Sequence, residues 1–300
     1  MSGPAILPVT DSVMQVGECP LWHPGEAALY WIDIEGRMVH RFDPASSAQN
    51  AWRMPAEPGA LARHAGGGLV VALRSGIVRL DTDTQSGGAL TLIAAAPYDC
   101  ANTRFNDGRV DAAGRFWIGT LYEPRDRQAA QMFCLERGKL HLAWEGGMTV
   151  SNGLAFSPDQ RTLYHADTTA HRIERRAFDV ASGVAGAPSA FRQFPTDRGE
   201  RYGGRPDGAA VDSEGHYWCA MFEGGRLLRV APDGTTQAEI ALPLRCPTML
   251  AFGGADLRTV YVTSASHRRP AAELAAYPLS GRLLCLQVDV AGQAEPAYLA

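Results

Sequence analysis

Lysine is all but missing from this sequence: Lys139 stands alone, and every other basic residue is arginine. A phosphate-binding loop needs Gly-Lys-Ser or Gly-Lys-Thr, and Glu136-Arg137-Gly138-Lys139-Leu140 does not supply it. Schiff-base chemistry would have to use Lys139, which reads as a surface turn residue. A Gly-x-Ser-x-Gly elbow is absent, which sets aside the serine hydrolases built on it. A His-Glu-x-x-His pair is absent too. Gly66-Gly67-Gly68 lacks the third glycine of a dinucleotide fingerprint and follows no strand-helix unit. Long apolar runs are also lacking. Leu69–Leu73 is a strand's length, far below the ~18 residues of a membrane span. Met1–Gly17 has no basic stretch and no apolar core, so no signal peptide is expected. The six cysteines (Cys19, Cys100, Cys134, Cys219, Cys246, Cys285) form no Cys-x-x-Cys pair. Free thiols and a cytoplasmic setting are the expectation. A net charge of −4 and a pI near 6.1 argue against nucleic acid as a partner.

What is present is a chain of 300 residues, 46% hydrophobic, with 32 glycines and 19 prolines. That is enough apolar content for a proper core and enough turn formers for many tight connections. Helical periodicity is scarce. Short apolar or alternating runs are separated by Gly, Asp, Asn and Pro, the mark of an all-β chain. One unit recurs, as in Ala28–Asp33 followed by Met38–Asp43, or Gly68–Leu73 followed by Gly76–Asp81. Further copies start near Arg115, Thr162, His216 and Thr259. Taking Leu29, Leu69, Phe116, Leu163, Tyr217 and Val260 as anchors, the spacings are 40, 47, 47, 54 and 43 residues. Six copies at this period predict a six-bladed β-propeller, a single closed domain over 1–300 with its repeats between about 14 and 290. The alternative is a β-sandwich. The tails, Ile6–Val9 and Ala297–Leu299, are expected to close the ring by sharing a blade.

In a propeller the innermost strand of each blade lines a central channel, and here it precedes the anchor by about ten residues. Counting back reaches Glu18, Asn106, Asn152 and Asp207. Equivalent positions meet at one mouth of the channel. Two carboxylates and an amide from three blades offer hard oxygen ligands, and crowding the carboxylates without a cation is electrostatically costly. Glu18, Asn152 and Asp207 are therefore read as ligands of one divalent cation, with open positions left for water or substrate. The competing reading is that Asn-Gly and Asp-Gly are turn dipeptides only. Asp81-x-Asp83-x-Gln85 hints at a calcium loop, but Ser86 and Leu92 stand where glycine and glutamate are needed, so it reads as a turn between strands.

The same residues carry a resemblance. Gly17-Glu18-Cys19-Pro20-Leu21-Trp22, Asn102 through Asp111 with Gly114-Arg115-Phe116-Trp117, Ser151-Asn152-Gly153-Leu154 and Pro206-Asp207-Gly208 resemble the SMP-30/gluconolactonase/regucalcin family of six-bladed propellers, and more closely its bacterial sugar lactonases. The resemblance runs from Gly17 to about Asp289. It implies Glu18, Asn152 and Asp207 as metal ligands, Asp207 also as general base, and Arg104 and Asn106 as contacts to substrate or bound water. It implies hydrolysis of an aldonolactone with one divalent cation, Ca²⁺, Zn²⁺, Mg²⁺, Mn²⁺ or Fe²⁺. Some relatives place a substrate-contacting Glu after Gly-Thr-Met; here the stretch reads Gly119-Thr120-Leu121-Tyr122-Glu123, which makes Glu123 a further candidate. Alternatives are another propeller hydrolase, acting on phosphotriesters or other lactones, and a metal-binding regulatory protein without turnover. His165 is expected in the core, as are Trp31, Trp117 and Trp218. Tyr202 and Arg205 are candidates for the pocket wall, and His267-Arg268-Arg269 for an overhanging loop. A sugar lactone is the expected partner, with neither membrane nor nucleic acid, and a monomer the default.

Overall fold

The computed structural model describes residues 4–83, 87–199 and 202–300. Its backbone forms six antiparallel sheets, in each of which four strands run outward from a central channel. The inner strands are Gly17–His23, Pro58–His64, Thr103–Val110, Ser151–Phe156, Arg205–Val211 and Pro247–Gly253, here numbered as blades 1 to 6. Each packs beside the next around the ring, and the sixth packs against the first. The second strands (Ala28–Asp33, Leu69–Leu73, Phe116–Tyr122, Thr162–Asp167, Tyr217–Phe222 and Thr259–Ser264) hold all six anchors. They are almost entirely buried. A strand covered on both faces by neighbouring blades needs a continuous apolar run rather than alternation, and Leu69-Val70-Val71-Ala72-Leu73 is that run.

Trp31, Trp117 and Trp218 lie in the core between blades. The indole N–H of Trp117 donates to Asp111 (2.9 Å), and that of Trp218 to Asp212 (2.9 Å). Each aspartate is wholly buried at the end of its inner strand. Each also accepts backbone N–H groups of the following turn, so one carboxylate ties turn, strand and core. All six cysteines are free thiols. Lys139 is exposed and opens a strand directly after the Arg137-Gly138 turn. Asp81 and Asp83 lie in the connection between two strands of blade 2, while Leu92 is inside the next strand; Gln85 and Ser86 lie outside the described residues. Among the described residues no helix is long and apolar enough to cross a membrane.

The termini depart from the expectation. They do not share a blade. Leu7–Pro8 adds as the outermost strand of blade 6, antiparallel to Leu284–Gln287. Ala297–Tyr298 pairs in parallel with the inner strand of blade 2, at Arg63 and His64. The chain before it runs past the lower end of the channel. There Glu295 makes an ion pair with the buried Arg109 of blade 3, and Gly292 packs on Phe252 of blade 6. A two-residue sequence pattern holds no information on which strand edge it meets, and both edges offer unpaired backbone groups.

Candidate functional site

Every inner strand breaks register with its neighbour at the same height. The breaks fall between Glu18 and Leu21, Pro58 and Ala60, Phe105 and Gly108, Asn152 and Ala155, Pro206 and Ala209, and Pro247 and Leu250. A bulge re-aims the side chains it carries. These bulges turn Glu18, Asn106, Asn152 and Asp207 into a shared pocket of about 190 Å³ at one mouth of the channel. In blades 1 and 4 the next residue takes a left-handed backbone, Cys19 at φ 48° and Gly153 at φ 57°. Gly153 has no room for a side chain: a Cβ would stand 2.2 Å from the Tyr217 hydroxyl.

Two aspartates fix the approach to these bulges. Asp33, at the end of the second strand of blade 1, accepts the N–H groups of Gln15 and Val16, both at 2.9 Å. Asp167 in blade 4 does the same for Thr149 (3.1 Å) and Val150 (3.3 Å). Glu18 and Asn152 are each the second residue of the strand that begins just after the pinned pair.

The amides are oriented by a directed chain of hydrogen bonds. The Thr168 hydroxyl donates to the Pro206 carbonyl (2.7 Å), so its oxygen accepts from Asn152 Nδ2 (2.8 Å). Asn152 Oδ1 then faces Asn106, whose Nδ2 donates to it (2.9 Å) and to the Ser151 carbonyl (2.8 Å). Arg104 Nη1 donates to Asn106 Oδ1 (2.7 Å) and to the Phe105 carbonyl (3.0 Å). Glu18 accepts from the Cys19 N–H (3.1 Å).

Negative charge is concentrated here. Glu18 is held well above the ordinary carboxylate range, by burial first and then by Asp207 and Asp107. Burial also pushes Asp207 up to about 8, partly offset by Arg205. Asp107, one residue beyond Asn106, is pushed up to about 6 by burial against the pull of Arg109. Its Oδ2 accepts the Leu154 N–H (2.8 Å), while its buried Oδ1 has no hydrogen-bond partner. Three buried carboxylates that resist ionisation mark a place suited to a cation. Among the described residues no three His, Cys, Asp or Glu side chains converge; the set here is two carboxylates and an amide.

The other sequence candidates divide. Arg205 and His267 line the pocket. Tyr202 does not; its hydroxyl bonds His171 Nε2 (2.7 Å). Glu123 stands outside the lining: Arg74 holds it with two hydrogen bonds (2.7 and 3.2 Å), and Arg104 Nε is 3.9 Å away. His165 is buried, with Nε2 at 2.9 Å from Ser151 Oγ. Thr168 and Arg125 were missed. Thr168 follows the second strand of blade 4 directly, as Ile34 and Ala265 do in blades 1 and 6, and all three line the pocket. Counting one phase further along the repeat reaches these three, but not Arg125.

Residues 16–266 match the family model described as the SMP-30/Gluconolactonase/LRE-like region. The 6-deoxy-6-sulfogluconolactonase of Pseudomonas putida is 48% identical over 283 residues, 94% of each chain. The pentonolactonase XacC of Haloferax volcanii is 34% identical over 260 residues, covering 86% of this chain and 84% of its own. Among solved structures, a calcium-binding regucalcin from Agrobacterium tumefaciens superposes with a TM-score of 0.91 at 29% identity, over 98% of this chain and 97% of that one. The chain belongs to the SMP-30/gluconolactonase/LRE-like family.

Proposed function

We propose that this protein hydrolyses the ester of a sugar aldonolactone to the aldonic acid, with one divalent cation held by Glu18, Asn152 and Asp207. The convergence of those three oxygen donors with Arg104 and Asn106 at one mouth is the observation that carries the reading. The lactonases among the relatives support it.

The donor set fits the metal. Two buried carboxylates repel one another, and the Asp107 charge below adds to both. A hard cation reverses that penalty, and an all-oxygen set accepts Ca²⁺, Zn²⁺, Mg²⁺, Mn²⁺ or Fe²⁺. Bound there, the cation supplies a Lewis acid that polarises the lactone carbonyl.

The chain's own groups supply the rest. Asp207 would help hold the cation and would also take a proton from the attacking water. Arg104 is pinned by Phe105 and Asn106, so its remaining N–H groups stabilise charge on the substrate oxygens as the tetrahedral intermediate forms. Asn106 spends both N–H groups on Ser151 and Asn152, so its role is to hold Asn152 Oδ1 and Arg104 in place. Glu123, fixed by Arg74, buttresses Arg104 from outside the pocket.

Acid release from glucono-, xylono-, galactono-, arabinono- and 6-deoxy-6-sulfogluconolactone tests this. Rates well above spontaneous hydrolysis on at least one, lost about 100-fold or more in Asp207→Asn, are expected. A flat panel with intact metal-loaded protein contradicts it.

A further inference from the structure

Arg104 and Arg205 each stand two residues before a site residue, Asn106 and Asp207, and both line the pocket. Arg125, in the turn after the second strand of blade 3, and His267, after that of blade 6, overhang the same pocket.

These groups are short of partners. Arg205 Nη2 lies 3.5 Å from Glu223, but Arg198 (3.5 Å) and Arg269 (3.0 Å) share that carboxylate. Buried Arg205 Nε has no hydrogen-bond partner, and neither has buried His267 Nε2. Arg125 forms no ion pair among the described residues; burial and then the nearby Arg205 charge disfavour its own, with Glu123 and Asp207 offsetting them in part. Arg104, by contrast, is tied to Asn106 beside the ligands, at the end that takes the carbonyl.

A sugar hydroxyl satisfies one such donor and carries no charge to answer the crowded guanidinium groups. An oxyanion with three acceptor oxygens meets both the charge and the unspent donors, and Arg is the side chain suited to it. Resting on the lactonase reading, we propose that Arg125, Arg205 and His267 form an anion subsite. The lactone opened here then carries a sulfonate or phosphate on the carbon farthest from its carbonyl.

The test compares kcat/KM for 6-deoxy-6-sulfogluconolactone, 6-phosphogluconolactone and neutral gluconolactone in the wild type, Arg125→Gln and Arg205→Gln. At least one charged lactone should be preferred about tenfold or more, and Arg125→Gln should cut that preference about tenfold through KM. Added salt should erode it. Which charged lactone leads names the anion. Arg125 sits on an exposed turn, so its variant folds; a melting curve checks the Arg205 variant. Equal or better turnover of the neutral lactone overturns the subsite, as does a proportional loss on all three in Arg125→Gln. Absence of hydrolysis of every lactone by metal-loaded protein overturns the lactonase reading instead.

Discussion

Thr168 has one hydroxyl proton, and the Pro206 carbonyl takes it. That small fact decides which end of Asn152 faces the pocket. Partners of this kind act through the ligand they orient, and their loss typically weakens metal affinity or activity 10- to 100-fold. Thr168→Val, which keeps the shape and loses the hydroxyl, is expected to raise the dissociation constant for the activating metal by roughly that factor, while the melting temperature of the metal-free protein holds. His165 gives a second prediction at this scale. Burial lowers its pKa to about 3, with Arg176 and Arg172 adding to the effect. In the unfolded chain it takes a proton near 6.5. The neutral form's contribution is therefore complete above pH 6.5 and is lost as pH falls toward 3. Thermal melts between pH 7 and 4.5 should fall less steeply in His165→Gln than in the wild type. Equal slopes would remove His165 from the acid response. Glu18, Asn106, Asn152 and Asp207 were readable in the sequence because each occupies one phase of the repeat. Glu123 was placed by local motif, and a motif cannot see that Arg74, 49 residues earlier, holds the side chain away from the pocket.

Turns and bulges are the elements that carry the chemistry, more than the strands between them. A strand in perfect register would alternate its side chains between neighbouring blades. In blades 1, 3, 4 and 5 the shared bulge sends one side chain into the channel instead. Where the sequence reads Gly-Glu-Cys-Pro or Arg-Pro-Asp-Gly, the repeat phase marked the position, although the register shift itself was not legible. The Asp111 and Asp212 anchors behave similarly. Asp111 accepts from Arg115 Nε (2.7 Å), the Trp117 indole and two backbone N–H groups. Asp111→Ala strands a buried guanidinium and an indole donor, and breaking a buried ion pair costs about 3–5 kcal/mol. A drop of several degrees in melting temperature, with the metal site of surviving protein intact, is expected. A change under about 0.5 kcal/mol, the size of an ordinary surface substitution, would mean that turn and core are held by other contacts.

At the scale of the whole molecule, the ring is completed by termini that meet it in two different places. Six repeats were legible because each anchor strand is a buried apolar run, whereas the terminal strands are two residues each and carry no period. Their placement follows from the edges they find. The N-terminal strand covers the outer edge of blade 6, and the C-terminal segment closes the lower end of the channel through Glu295 and Arg109. Removing residues 291–300 exposes that end and leaves Arg109 buried without its ion pair. The truncated protein is expected to melt lower than the full chain and lower than Glu295→Gln, which loses the charge but keeps the strand. Equal melting temperatures for all three would show that the segment is not part of the closure. Both ends of the channel thus depend on buried charge, Glu295 with Arg109 below and the carboxylates of Glu18 and Asp207 above. The most direct measurement is acid release from the lactone panel by protein stripped with chelator and then titrated with each divalent cation, with circular dichroism confirming the fold throughout. The account predicts an intact fold, loss of turnover on stripping and its return at one equivalent of metal. Full turnover by stripped wild-type protein, equal to that of the metal-restored enzyme, would contradict it.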